Sequence, residues 1–197
     1  MSWFHGLEAE AQGFFPHACA HGWDHVMRVR GLAMHIARAE SADLEVVDAA
    51  ALLHDIGRGG PHDASEGHAA ASAQLAEITL DRRDCPPGER AAIIAAIRDH
   101  SYAEGCTPAS LEGRILQDAD RLDACGAVGI ARAFMRAGEQ GRAMDTAVAH
   151  FHDKLLRLGE GMHTPTARRI AEERHEVLVR FLEDLTREAR ESSTTSL

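Results

Sequence analysis

The run LLHDIGR, residues Leu52 to Arg58, sets a histidine and an aspartate side by side at the end of an apolar stretch. Imidazole and carboxylate are side chains that hold divalent ions or move protons. Neighbouring helical residues point about 100° apart, so His54 and Asp55 cannot share one stripe. They can still grip one ion at the edge between their two directions. Burying an ionised Asp55 beside so apolar a run is costly unless a cation compensates it. The plainer alternative is that His54 closes the helix end while Asp55 faces water. Two further segments offer partners. HGWDHVMRV places His21 and His25 four residues apart at the start of an amphipathic stretch, and ILQDADRLDACG places Asp118, Asp120 and Asp123 among apolar residues. Asp120 has Ile115, Leu116 and Leu122 around it and so borders a buried face, whereas Asp118 and Asp123 fit a solvated side equally well.

The elements that must position these groups all read as helices, since no run alternates with a period of two. Trp23–Glu40 carries Val26, Val29, Leu32, Ala33 and Ile36 at spacings of three and four, an amphipathic stripe. Ser41 or Asp43 caps a second helix through DLEVVDAAALLHDIG, which Gly57 and the RGGPHD loop stop. A third helix is expected from about Glu66 to Ile78, ending at the polar DRRDCPPG turn, and a fourth, ERAAIIAAIRDH, follows Pro87–Gly88. Thr107–Pro108 reads as an N-cap with proline at the first helical position, leading into LEGRILQDADRL. Further helices are expected from about Cys125 to Met135, near Thr146–Leu158 and over Pro165–Glu188. GEQGRAMD forms a loop and Thr164–Pro165 opens the last helix. Neither a repeat nor a long linker divides the chain. The expectation is an all-α single domain over residues 1–190, its core at about 20–185, with a polar tail at 191–197.

Bulk properties narrow the class of function. At 197 residues, with 45% hydrophobic and 26% charged residues, the composition is that of a soluble globular domain. A formal charge of −10 disfavours nucleic acid and anionic membrane as partners. A small phosphate ester remains compatible, because a metal and a few arginines can reverse the field inside a pocket. Cys19, Cys85, Cys106 and Cys125 form no CxxC pair, which disfavours a zinc ribbon and suits free thiols in a reducing cytoplasm. No stretch approaches the roughly 20 apolar residues of a membrane span. Thirteen histidines, against two tryptophans and one tyrosine, direct attention to metal or acid–base chemistry.

His25, then His54–Asp55, then Asp120 resembles the H…HD…D signature of the HD superfamily of metal-dependent phosphohydrolases. The words HGWDHVMRV, AALLHDIGR and ILQDADRLDA are similar to those of the small stand-alone bacterial HD hydrolases of the YedJ/YpgQ type. The similarity runs from about residue 20 to 185 and includes HFHDKLLRL and AEERHEVLVRFL. It implies an HD-type helical bundle with a metal site in a cleft between helices, held by His25, His54, Asp55 and Asp120. Mixed imidazole and carboxylate donors suit manganese, iron, nickel, cobalt or zinc better than magnesium.

The same resemblance implies a phosphorylated small-molecule substrate, a nucleotide above all, cleaved as a phosphohydrolase or pyrophosphohydrolase. Some HD proteins add two histidines between the HD pair and the final Asp, and His68 and His100 occupy those slots in order. They are expected either to hold a second metal or to line the pocket as phosphate contacts and acid. Arg58 and Arg121 are candidates for neutralising substrate charge, and Asp123 for orienting a ligand histidine. Two other functions fit the pattern. A di-iron mixed-function oxygenase would need both extra histidines as ligands, and a binding module would keep the fold without chemistry. His17, His62, His150, His152, His163 and His175 have no spacing that demands a site.

Overall fold

A computed structural model describes residues 3–15, 20–58, 67–102 and 105–194, with side chains through 191. Those residues contain nine α-helices and one 3-10 segment, and no strand. The chain clusters into two compact units, Met1–Arg121 and Leu122–Leu197.

The first unit is organised around α3. Helices α1 (Leu7–Gln12), α2 (Trp23–Glu40), α3 (Leu44–Leu53), α4 (His68–Arg82) and α5 (Pro87–Asp99) lie in it, followed by α6 (Leu111–Asp123), which ends just past its boundary. In α3, Val46, Val47 and every residue from Ala49 to Leu53 are buried. A helix apolar on all sides belongs inside, and α3 packs against α1, α2, α4 and α5. The cap is Asp43, whose carboxylate accepts from the amides of Glu45 (3.0 Å) and Val46 (3.2 Å). Ser41 instead closes α2 in the left-handed conformation, φ 57°. The polar break in α3, Asp48, is gripped by Arg30 of α2 through Nε and Nη2, the latter at 3.0 Å.

Several boundaries differ from those the sequence suggests. α3 ends at Leu53 rather than Gly57, and residues 54–58 form a turn. That turn carries Gly57 against α4, where its N–H donates to Ser72 Oγ at 3.0 Å. α4 is described from His68, and the expected start at Glu66 lies outside the described residues. α6 begins at Leu111, not after Thr107–Pro108. Ser110 is the cap, its Oγ accepting from the amide of Gly113 at 3.0 Å and its carbonyl from that of Arg114 at 3.1 Å. α1 carries no sequence stripe because it is only six residues long. Burial of Leu7 and Ala11 seats it, and Arg83 ties it down by donating to the Trp3 carbonyl (2.8 Å) and to Glu10 (2.7 Å).

The second unit holds α7 (Gly126–Glu139), α8 (Met144–Asp153), the 3-10 segment Leu155–Gly161 and α9 (Pro165–Thr194). Phe134, Phe151 and Phe181 meet there with ring centroids 5.9 Å apart. The helix expected over Thr146–Leu158 breaks at Lys154, whose φ of −135° leaves the helical range. Thr164 caps α9 through Oγ1, 3.2 Å from the Ala167 amide, and the helix runs beyond Glu188 to Thr194. Among the described residues no helix is long and apolar enough to cross a membrane.

Candidate metal centre

Two helix ends set up the site. His54 and His100 are the C-cap residues of α3 and α5, where the last carbonyls of a helix lack amide partners. Each imidazole bonds one carbonyl there: Nδ1–H of His54 donates to the Ala51 carbonyl at 2.8 Å, and Nδ1–H of His100 to the Ile97 carbonyl at 2.6 Å, which the His100 amide also reaches at 3.4 Å. Those bonds fix the tautomer and turn each Nε2 inward. His25 enters from the first turn of α2 and is 1% exposed. The buried end of α3 carries Asp55 into the same space, also at 1%.

His25 Nε2 lies 3.4 Å from His54 Nε2, 3.4 Å from Asp120 Oδ1 and 3.6 Å from Asp55 Oδ2. His54 Nε2 is 3.9 Å from the same Asp55 oxygen. Two donors each about 2.1 Å from one ion stand roughly 3.0 to 3.4 Å apart at angles between square and tetrahedral, so these spacings need to close by only a few tenths of an ångström. The other oxygen of Asp55 faces a second pair: Oδ1 is 3.7 Å from His100 Nε2 and 3.8 Å from His68 Nε2. His25, His54 and Asp120 form one ligand-spaced group, and His54, Asp55 and His100 another. His100 Nε2 is buried without a hydrogen-bond partner. Inward-turned imidazole nitrogens and two carboxylates, most of them out of water, form a donor set that a divalent cation fits.

The charges lean the same way. Burial holds His54 neutral and lowers its pKa to about 4. Burial disfavours the charged form of Asp55, but His54, His100 and Arg58 outweigh it and hold that carboxyl well below the usual carboxylate range. Asp120 is likewise lowered, with burial opposing and His25, His54 and His100 favouring the anion. Burial opposes a charged His100, yet the pull of Asp55 and then Asp120 raises its pKa above the ordinary histidine value. At 3.7 Å that pull is electrostatic rather than a hydrogen bond.

Exposure is uneven across the cluster. The side chains of His25, His54, Asp55 and His100 are 0% exposed, whereas Asp120 is 26%, His68 13% and Arg58 30% exposed. Arg58 holds Asp55 two-pronged, Nε to Oδ2 at 2.6 Å and Nη2 to Oδ1 at 3.0 Å. This grip is the site feature the sequence reading missed. Its signal was the three-residue spacing of Asp55 and Arg58, which lets such side chains meet.

Of the remaining candidates, only Arg121 adjoins the cluster among the described residues. Arg121, next to Asp120, is 3% exposed and lies over the Tyr102 ring. Asp118 and Asp123 are buried, not solvated, and Asp123 pairs with Arg132 at 2.8 Å. His150, His152 and His175 are exposed, His163 is half-buried, and His17 and His62 lie outside the described residues. Cys85, Cys106 and Cys125 are free thiols, and Cys19 lies outside the described residues.

Known proteins share this arrangement of sequence and fold. The sequence pattern of the HD domain family matches residues 22–125. The chain is 41% identical over 173 residues to YpgQ of Bacillus subtilis, an uncharacterized protein, covering 85% of this chain and 84% of that one. The crystal structure of YpgQ in complex with ADP is similar at a TM-score of 0.79 and 37% identity, with 94% of each chain covered. An HD-superfamily hydrolase from Bacillus thuringiensis gives a TM-score of 0.75 at 31% identity, over 93% of this chain and 96% of that one. The all-helical expectation agrees with these folds. The chain belongs to the HD domain family, and with it to the metal-dependent phosphohydrolases of that superfamily.

Proposed function

We propose that His25, His54, Asp55 and Asp120 hold one catalytic divalent ion and that the protein hydrolyses a phosphate ester or anhydride of a small nucleotide. The observation that carries this reading is the convergence of these four side chains at 3.4 to 3.9 Å around one space, with exposed side chains beside it at Asp120, His68 and Arg58. A bound divalent ion supplies an activated water near neutral pH and polarises a phosphoryl oxygen. Imidazole with carboxylate favours manganese, iron, nickel, cobalt or zinc over magnesium.

The chain's own groups do the rest. Arg58 orients Asp55 through its two hydrogen bonds and sets a positive charge where an anionic substrate enters. His100, its Nδ1–H bound to the Ile97 carbonyl, turns Nε2 toward Asp55, where in its protonated form it would donate to a phosphoryl oxygen that gains charge. His68, partly exposed on the same side of Asp55, meets the substrate first. Arg121 adds buried positive charge beside Asp120. The ADP bound by the similar YpgQ supports a nucleotide as substrate.

Metal content and phosphate release on one preparation test the reading. Nucleoside mono-, di- and triphosphates are screened with manganese, cobalt, nickel, zinc and magnesium. One ion per chain and metal-dependent release of phosphate or pyrophosphate is the expected result; no release with any ion would refute it. The division of Asp55 between two histidine pairs favours a second reading, in which His68 and His100 would hold a second ion. Two irons per chain, visible colour in air and no phosphate release would establish it as a mixed-function oxygenase.

A further inference from the structure

We propose that Tyr102, backed by Arg121, is the platform on which the base of the nucleotide stacks. This deepens the nucleotide reading above and rests on it. Tyr102 is the one tyrosine of the chain, and the guanidinium carbon of Arg121 lies 4.1 Å from its ring centroid. That is the separation of a close cation–π stack. The two partners differ in exposure: Arg121 is 3% exposed and Tyr102 48%. One ring face is therefore covered by a buried cation while the ring as a whole stays open to solvent.

The pair is anchored at both ends to the metal centre. Tyr102 follows His100 by two residues, a stretch that spans at most about 7 Å, and Arg121 directly follows Asp120. Asp120 is the candidate ligand with exposure, so the platform adjoins the exposed edge of the cluster. A nucleotide whose phosphates lie at the ion and Arg58 has its base left to place. A flat aromatic face meets any base through its π surface. A ring fixed from beneath loses little freedom when a ligand stacks on it. The platform reads shape and not hydrogen-bond pattern, so it accepts purine and pyrimidine nucleotides alike.

The test uses the full chain with two readouts. Because the chain has one tyrosine, ring-labelled tyrosine gives a single set of NMR resonances. Magnesium and ADP shift those resonances upfield, and inorganic tripolyphosphate does not. In kinetics, Tyr102→Ala raises the ratio of the nucleotide KM to the inhibition constant of tripolyphosphate by about five- to hundredfold, and Tyr102→Phe keeps the wild-type ratio. An unchanged ratio in Tyr102→Ala, or a ring signal that ADP leaves in place, overturns the platform. A wild-type protein that shows the ring shift but cleaves no nucleotide keeps the platform and overturns the hydrolase reading; one with neither overturns both.

Discussion

Gly57→Ala probes the link between fold and site most directly. A Cβ on Gly57 would fall 2.4 Å from the Ser72 amide nitrogen and 2.6 Å from the Ala71 carbonyl carbon, where ordinary contact begins at 3.4 Å. Both neighbours are backbone of α4, so no side chain can swing away. The turn and the helix must part by about 1 Å, and overpacking of that kind costs about 1–3 kcal/mol. Loss of the buried hydrogen bond from Gly57 to Ser72 Oγ adds about 1 kcal/mol. The same displacement separates Asp55 and Arg58, on the turn, from His68, on α4. Misplacing a catalytic group by about 1 Å costs on the order of a hundredfold in rate. Urea denaturation and turnover on one preparation read both effects. Gly31→Ala is the control: nothing lies within 4 Å of its Cβ, and alanine is the better residue inside α2 by up to about 1 kcal/mol. A Gly57→Ala protein with wild-type midpoint, metal content and rate would refute the close-packing argument.

Four shorter predictions follow from the same geometry. Asp55→Ala removes the carboxylate that faces all four histidines, so bound metal and activity should vanish while circular dichroism keeps its helical signal; full metal content would exclude Asp55 as a ligand. Chelation of the purified protein should lower Tm, because an ion that binds only the folded state stabilises it; an unchanged Tm would point to a loosely held ion. His54 is neutral in the metal-free fold down to about pH 4 and protonated in the unfolded chain below about 6.5. The unfolded state thus binds more protons in that window, and the metal-free protein should lose up to about 3 kcal/mol of stability as pH falls through it. Asp55 and Asp120 titrate below the window and His100 above it, so an equal loss in His54→Gln would remove this explanation. Asp43→Ala, which uncaps α3, should cost about 1 kcal/mol in urea denaturation, while Ser41→Ala, away from any N-cap, should cost much less.

Much of this was legible in the chain because the central helix announces itself. Valine, alanine and leucine on every side of α3 require burial, and burial in turn requires a partner for Asp55, in the turn just beyond it. The α2 stripe and the Thr164 cap were equally readable, since each is local. What escaped depends on contacts across the chain. Ser41 and Asp43 are both good caps by type, and only the left-handed turn at Ser41 decides between them. Ser110 displaces Thr107 as cap because its hydroxyl reaches the Gly113 amide. Asp123 could be read as facing water or as orienting a ligand histidine, and the structure pairs it with Arg132; α1 is too short to show a period.

The two histidines that end α3 and α5 also bring the ends of those helices to one place. A helix C-terminus carries roughly half a negative charge, and here two such ends join two carboxylates around the same small volume. That potential draws in a cation and repels a phosphate. Before the ion enters, Arg58 and Arg121 offset that field only in part, so nucleotide affinity should rise when metal is added. The two helix ends thus add to the carboxylates' pull on a cation through backbone, a contribution that no side-chain substitution removes.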